Sequence, residues 1–270
     1  MQRHLRSRSA RAAGVACLFA MASTARADES PTAPDAGALQ ASFGVAAITA
    51  PRYAGSDKTF VQALPLISVQ KGPWFIDSLR GVGAQYQSES GFSASEAFHY
   101  DFGRVDRDSS LRPGSRTLKG MGDVTGSVVS RTTVAQRFNS ILSASVEAEY
   151  SLKDGTHRGR YRAGVELGLV HEETDIVTVN ADLHAGNAAF NRAYFGVSPA
   201  QSARSGFAAY KAASGLYAYS ASATWTHVYS PHWSSSIVLR GTHYMDEAGD
   251  SPIVKRHTAL GTALAVNYSL

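Results

Sequence analysis

The stretch HTALGTALAVNYSL, residues 257–270, alternates strictly. Leu260, Thr262, Leu264, Val266, Tyr268 and Leu270 fall on one side of an extended strand, whereas Gly261, Ala263, Ala265, Asn267 and Ser269 fall on the other. One face is mostly large and apolar, and the other is small or polar. A strand carries this period-2 pattern when its two faces meet different solvents. A half-buried strand of a soluble sandwich shows it too, so the rest of the chain must decide between them.

Residues 1–27 read as a secretory signal peptide. Arg3, Arg6, Arg8 and Arg11 form a positive start, Ala12 to Ala22 an apolar run, and Ala25-Arg26-Ala27 a small-residue cleavage site. The run is shorter than the roughly 20 residues of a spanning helix. Cleavage would remove Arg26 and those four arginines but no acid, leaving 21 basic against 22 acidic residues, a balance of −1. The basic pI of the whole chain therefore does not point to nucleic acid. Cys17, the one cysteine, would also leave, so the exported chain forms no disulfide. Residues 28–38, rich in Pro, Ala and acids, read as a disordered lead-in.

From residue 39 to 270 no helical period is sustained. Alternating segments recur instead at 39–49, 60–70, 74–88, 91–103, 123–137, 140–153, 156–171, 175–185, 214–229, 232–245 and 257–270. Most exceed the usual five or six residues of soluble strands and suit tilted membrane strands of about 10 residues. Asp154-Gly155 favours a two-residue hairpin turn. That turn sets Glu147 opposite Arg162 and Glu149 opposite Arg160, while Val146, Tyr150, Tyr161 and Val165 fall on the other face. In a soluble sandwich the ionic face is the wet surface; in a barrel it is the lumen, tied by cross-strand ion pairs.

Trp225, Tyr229 and Trp233 flank the turn Ser230-Pro231, with Tyr217 and Tyr219 at the far end of the preceding strand. Membrane interfaces favour aromatic residues at strand ends. If residues 257–270 close a barrel and run toward the periplasm, the connections at 230–231, 172–174, 138–139 and 89–91 are periplasmic and short. Those at 246–256, 186–213 and 104–122 are then external and long, the asymmetry expected of outer-membrane barrels. Eleven segments leave the first strand pointing the wrong way, and an even count is required. Twelve strands are preferred to ten. The fold class is an all-β antiparallel transmembrane barrel closed by its C-terminal strand.

Four motifs carry a family resemblance. They are Pro51-Arg52-Tyr53-Ala54-Gly55-Ser56-Asp57; Leu118-Lys119-Gly120-Met121-Gly122-Asp123-Val124; Tyr194-Phe195-Gly196-Val197 with Ser205-Gly206 and Tyr210; and Asp250-Ser251-Pro252-Ile253-Val254. In this order they resemble the MipA/OmpV family of outer-membrane proteins, although Leu270 stands where that family more often ends in Phe. The resemblance implies a non-enzymatic barrel in the cell outer membrane that joins a lytic murein transglycosylase to a murein synthase. It implies no catalytic residue. Structurally, Gly55, Gly120 and Gly122 suit positive φ, Asp57 and Asp123 can bond their own turns, and Pro252 can fix a loop.

Catalytic, cofactor and metal sites are not expected. No Gly-x-Ser-x-Gly occurs, His171-Glu172-Glu173 reads as a solvated turn, and Asp182 with His184 on one face stands alone. Arg104, Arg107, Arg112 and Arg116 form either a solvated mixed-charge loop or a contact for lipopolysaccharide phosphates. The alternative function is a narrow porin-like channel for small polar solutes, lined by Glu147, Glu149, Arg160, Arg162 and Asp182.

Overall fold

Glu147 stands opposite Arg162, and Glu149 opposite Arg160, on neighbouring antiparallel strands. Ladders of the same kind run from pair to pair until the ring closes. The computed structural model describes residues 38–152 and 157–270. The signal peptide, all but the last residue of the lead-in, and the Asp154-Gly155 turn lie outside the described residues.

Twelve strands make the wall. They are β1 (Leu39–Pro51), β2 (Thr59–Lys71), β3 (Trp74–Asp77), β4 (Gly81–Gln87), β5 (Phe92–Asp101), β6 (Ser127–Arg137), β7 (Leu142–Ser151), β8 (Gly159–His171), β9 (Asp175–Gly186), β10 (Gly215–Val228), β11 (Trp233–Tyr244) and β12 (Thr258–Ser269). Each pairs with its chain neighbours, and β12 pairs with β1 from Ser42↔Ser269 to Thr49↔Thr262. At one end of this seam the Leu270 N–H donates to the Ala41 carbonyl at 3.0 Å. At the other, the Thr49 and Thr262 hydroxyls meet at 2.9 Å.

The segment at 74–88, which reads as one strand, is two. Asp77 Oδ1 accepts from the backbone of Leu79 at 2.8 Å and of Arg80 at 3.0 Å, and Gly81 takes φ +93° to complete the reversal. The turn hides because Asp77 pairs with Gly81, so positions of equal parity face each other. Ile76 before it and Val82 after it both point outward, and the alternation runs through unbroken. This hairpin makes the count even. It also brings the start of β1 and the end of β12 to the end that carries the short connections 72–73, 88–91, 138–141, 172–174 and 229–232.

The wall is inverted relative to a soluble protein. Val45, Val82, Val146, Val165, Leu183, Leu239 and Leu264 are exposed on its outer face. Trp74, Tyr86, Trp225, Tyr229 and Trp233 stand exposed toward the short-turn end, and Tyr100, Phe102, Tyr150 and Tyr219 toward the other. An apolar band between two aromatic girdles matches a bilayer and its two interfaces. Tyr217 departs from its expected place at the interface. A register shift between Leu216 and Ala218 turns it inward, where its ring packs against Phe190 and Phe195. One carboxylate, Glu96, falls on the outward column of β5, where the Ser130 and Thr132 hydroxyls each donate to it at 2.5 Å.

An arginine placed in the apolar band should expose its cost directly. Val165→Arg is expected to destabilise the barrel in lipid vesicles by about 2–4 kcal/mol, the range for a cation near the bilayer midplane. Urea titration followed by heat-modifiable gel migration measures it, and an unchanged midpoint would contradict a lipid-facing position.

Candidate functional site, an ionic lumen under a loop cap

Inside the barrel seven charged side chains from five strands form one alternating lattice. Arg131 donates to Glu149 at 2.6 Å, and Arg160 pairs with the same carboxylate. Arg131 also lies 3.9 Å from Glu147, which Arg162 reaches at 3.3 Å. Arg162 continues to Asp182 at 2.9 Å, and Arg240 meets the other oxygen of Asp182 at 3.5 Å. The sequence-derived residues Glu147, Glu149, Arg160 and Arg162 therefore sit together, joined by Arg131, Asp182 and Arg240. Arg131 could have been reached by carrying the register one hairpin back, since Arg131 pairs with Glu149. Arg240 could not. It lies two strands from Asp182 and reaches it because the β10 residues between them, Ser220 and Ser222, are small.

The candidate Asp182–His184 pair does not form. His184 Nε2 lies 2.9 Å from the Ser220 hydroxyl, which itself donates to Asp182 Oδ2 at 3.4 Å. The aspartate is directed to serine and to two arginines, so it does not orient the imidazole as a triad requires. His171, Glu172 and Glu173 are exposed at the β8–β9 turn. Among the described residues no group of His, Cys, Asp and Glu is arranged to hold a metal.

Above the lattice the long connections 52–58, 102–126, 187–214 and 245–257 interlock, and each carries one of the four motifs. Tyr53, Leu118, Met121, Val197 and Ile253 bury together, one or two from each loop. Tyr53 donates its hydroxyl to the Ile253 carbonyl at 3.0 Å, and Gln201 donates to the Met121 carbonyl at 2.7 Å. Ser251 donates to the Phe195 carbonyl at 2.5 Å, and the Lys255 N–H to that of Gly55 at 2.7 Å. Gly55 sits at φ +84° with its missing side chain filled by Val254, so any Cβ there is strained and crowded at once. Gly120 and Gly122 also have positive φ.

The aspartates act differently from the expected turn bonds. Asp57 is exposed, and its turn is closed by Ser56, whose hydroxyl accepts from the Lys58 N–H at 3.0 Å. Asp123 accepts from the Asp106 N–H and pairs with Arg107 at 3.2 Å, clamping the two arms of residues 102–126. Pro252 supplies a carbonyl to Lys255 at 3.1 Å. Two short helices, Ala188–Tyr194 and Pro199–Ser205, belong to the cap; the first buries Phe190 and Asn191, and the second lies on the surface, closed by a capping box between Ser198 and Gln201.

The four arginines of 104–116 are largely taken up within the cap. Arg104 is buried and donates to the Tyr194 carbonyl at 2.6 Å. Arg112 donates to the Phe102 carbonyl at 2.8 Å, and Arg116 pairs with Asp108 at 2.9 Å. The Arg116 backbone N–H and guanidinium hold the Asp108 carboxyl below its usual range. Burial, reinforced by Asp57, pushes the Tyr53 phenol up to about 12, and burial with Asp101 raises Tyr194 as well.

The family model described as "MltA-interacting protein MipA" matches residues 43–270. No curated protein matches the chain. Among solved structures, the COG4313 outer membrane channel from Pseudomonas putida F1 is 13% identical, with 91% of this chain and 100% of that chain covered and a TM-score of 0.43. The NanC porin is 9% identical over 86% of this chain and 100% of its own, with a TM-score of 0.41.

Two outcomes follow from this geometry. Glu149 is 3% exposed and holds two guanidinium groups, so Glu149→Gln should cost about 3–5 kcal/mol, as when one partner of a buried ion pair is removed. Urea unfolding in vesicles measures it, and a loss below about 1 kcal/mol would show the lattice to be solvated. The raised Tyr53 phenol favours the neutral form in the folded cap. Its contribution is complete below the ordinary value of 10 and is lost as pH climbs toward about 12. Ultraviolet titration should show a late-ionising tyrosine that Tyr53→Phe removes; identical titration curves would contradict its burial.

Proposed function

The chain belongs to the MltA-interacting protein MipA family, and on that premise we propose that it is a non-enzymatic barrel of the bacterial outer membrane acting as a scaffold. Its partners are a lytic murein transglycosylase and a murein synthase. The short-turn end, where β1 begins and β12 ends, faces the periplasm and meets them, while the cap faces outward against lipopolysaccharide. A cleaved signal peptide at residues 1–27 delivers it.

One observation carries the choice of scaffold over channel: four loops from separate sectors of the ring pack into a single buried cluster over the mouth. Open aqueous bores belong to barrels of about 16–18 strands. A twelve-strand wall with long ionic side chains inside and a packed cap above suits holding more than conduction. The second reading, a narrow channel for small polar solutes, is favoured by the lattice itself, whose charges line the lumen.

Affinity capture with the detergent-solubilised barrel tests the scaffold. Murein transglycosylase and synthase should be enriched from periplasmic extract over capture by an unrelated barrel, and equal recovery would overturn it. Planar-bilayer recording separates the second reading. Silence is the expected result, whereas reproducible steps that change with Arg160→Ala would establish a channel.

A further inference from the structure

Among the described residues the wall is interrupted beside β2. β2 is 13 residues long and β3 only 4, and β3 covers only Ser68–Lys71 of β2. Ser78 ends the contact, donating its N–H to the Ile67 carbonyl at 2.9 Å and accepting from the Ile67 N–H at 2.7 Å. On the other side β4 leaves β5 at Val82↔Phe98. Among the described residues, no strand stands between Thr59–Leu66 of β2 and His99–Asp101 of β5. The gap is bridged at its outer end, where the Gly114 N–H donates to the Arg52 carbonyl at 2.6 Å and Arg52 lies 3.8 Å from Asp108. It is therefore a window with a frame, and not an open slot.

The edge of β2 is suited to such a place. Ile67 turns its N–H and carbonyl toward β3, and by strand alternation Val61, Ala63 and Pro65 turn theirs the same way. Pro65 has no N–H to leave unpaired, which is the position proline takes on a strand edge. Bare backbone at membrane depth is tolerated only where it is buried in protein or lines a water-filled cavity.

Behind the frame the lumen changes character. Leu66, Ala46 and Ala265 are buried together with Ile48 and Leu79, and Leu64 shares their side of β2. This apolar wall contrasts with the ionic lattice on β6 to β9. At the sill Arg80 lies 3.7 Å above the Phe75 ring and donates to Gln85 at 2.8 Å. Its neighbour Asp77 is engaged by backbone N–H groups, and among the described residues Arg80 pairs with no carboxylate. Outside, Val61, Ile67, Phe98 and Tyr100 make exposed apolar lips.

From this juxtaposition we propose that the window is a lateral binding port for a single-tailed anionic amphiphile. The tail enters from the bilayer between β2 and β5 and lies along Leu64, Leu66 and Leu79, and the head group meets Arg80. A charge-assisted contact to a singly charged head contributes enough for about a tenfold change in affinity.

The full barrel in phosphatidylcholine vesicles tests this with 11-(dansylamino)undecanoic acid as probe. Saturable fluorescence enhancement is expected, competed by laurate but not by dodecyltrimethylammonium and weakened about tenfold or more by Arg80→Gln. On the exported chain, which keeps no cysteine of its own, a bimane label at Leu64→Cys should be quenched by acyl-brominated lipid more than one at Ser222→Cys on the far wall. Equal quenching at the two sites, or equal competition by the cationic amphiphile, would overturn the port. If Arg80→Gln fails to show heat-modifiable migration, the competition and quenching arms on folded protein still decide.

Discussion

Hydrocarbon offers no partner to a backbone N–H or carbonyl, and that single fact governs this molecule. Every strand must be paired on both edges, so the ladder has to close, and the seam between β1 and β12 is where it does. The seam couples the two ends of the chain's described course, with Ser42 beside Ser269 and Thr49 beside Thr262. Closure makes the strand number even when both ends lie on one side. It also divides every strand into an apolar outward column and a small or polar inward one. The departures from pairing are then informative, because each must be met by water, a side chain or a ligand.

The inward columns are graded around the ring. On β10 they are serines and threonines, and that lack of bulk lets Arg240 cross beneath them to Asp182. On β6 to β9 they are long ion pairs that tie each strand to its neighbour. On β1, β2 and β12 they are Ile48, Leu66, Ala46 and Ala265. The short β3–β4 hairpin stands between the apolar and ionic sectors, with Leu79 packed toward the first and its carbonyl accepting from Arg131 at 3.4 Å toward the second. A hairpin that bends its tip into the lumen cannot also fill the upper wall. The interruption between β2 and β5 follows from that choice.

The cap shows how weak local signals acquire meaning by meeting. Each of the four motifs contains turn formers that are ordinary one at a time. Together they place Tyr53, Leu118, Val197 and Ile253 in one buried cluster. Arg104, which reads as a solvated charge, is instead buried against the carbonyls of residues 193 and 194. Loops held this way are part of the core and not appendages to it.

Much of the wall was legible because strand parity is a local rule: it set Glu147 against Arg162 and gave residues 257–270 two distinct faces. It failed where parity carries no information. The 78–80 turn conserves parity, so 74–88 reads as one strand, and the bulge at Tyr217 breaks parity inside a run, Leu216 to Ala218, that contains no Gly or Pro. The sequence by itself determined that this chain is an outward-apolar barrel of alternating strands with short turns at one end and long loops at the other. Only the tertiary structure decided the joining of the four motifs, the reach of Arg240 to Asp182, and the window beside β2. Those depend on residues distant in the chain, and on how far each hairpin rises, neither of which a period of two records.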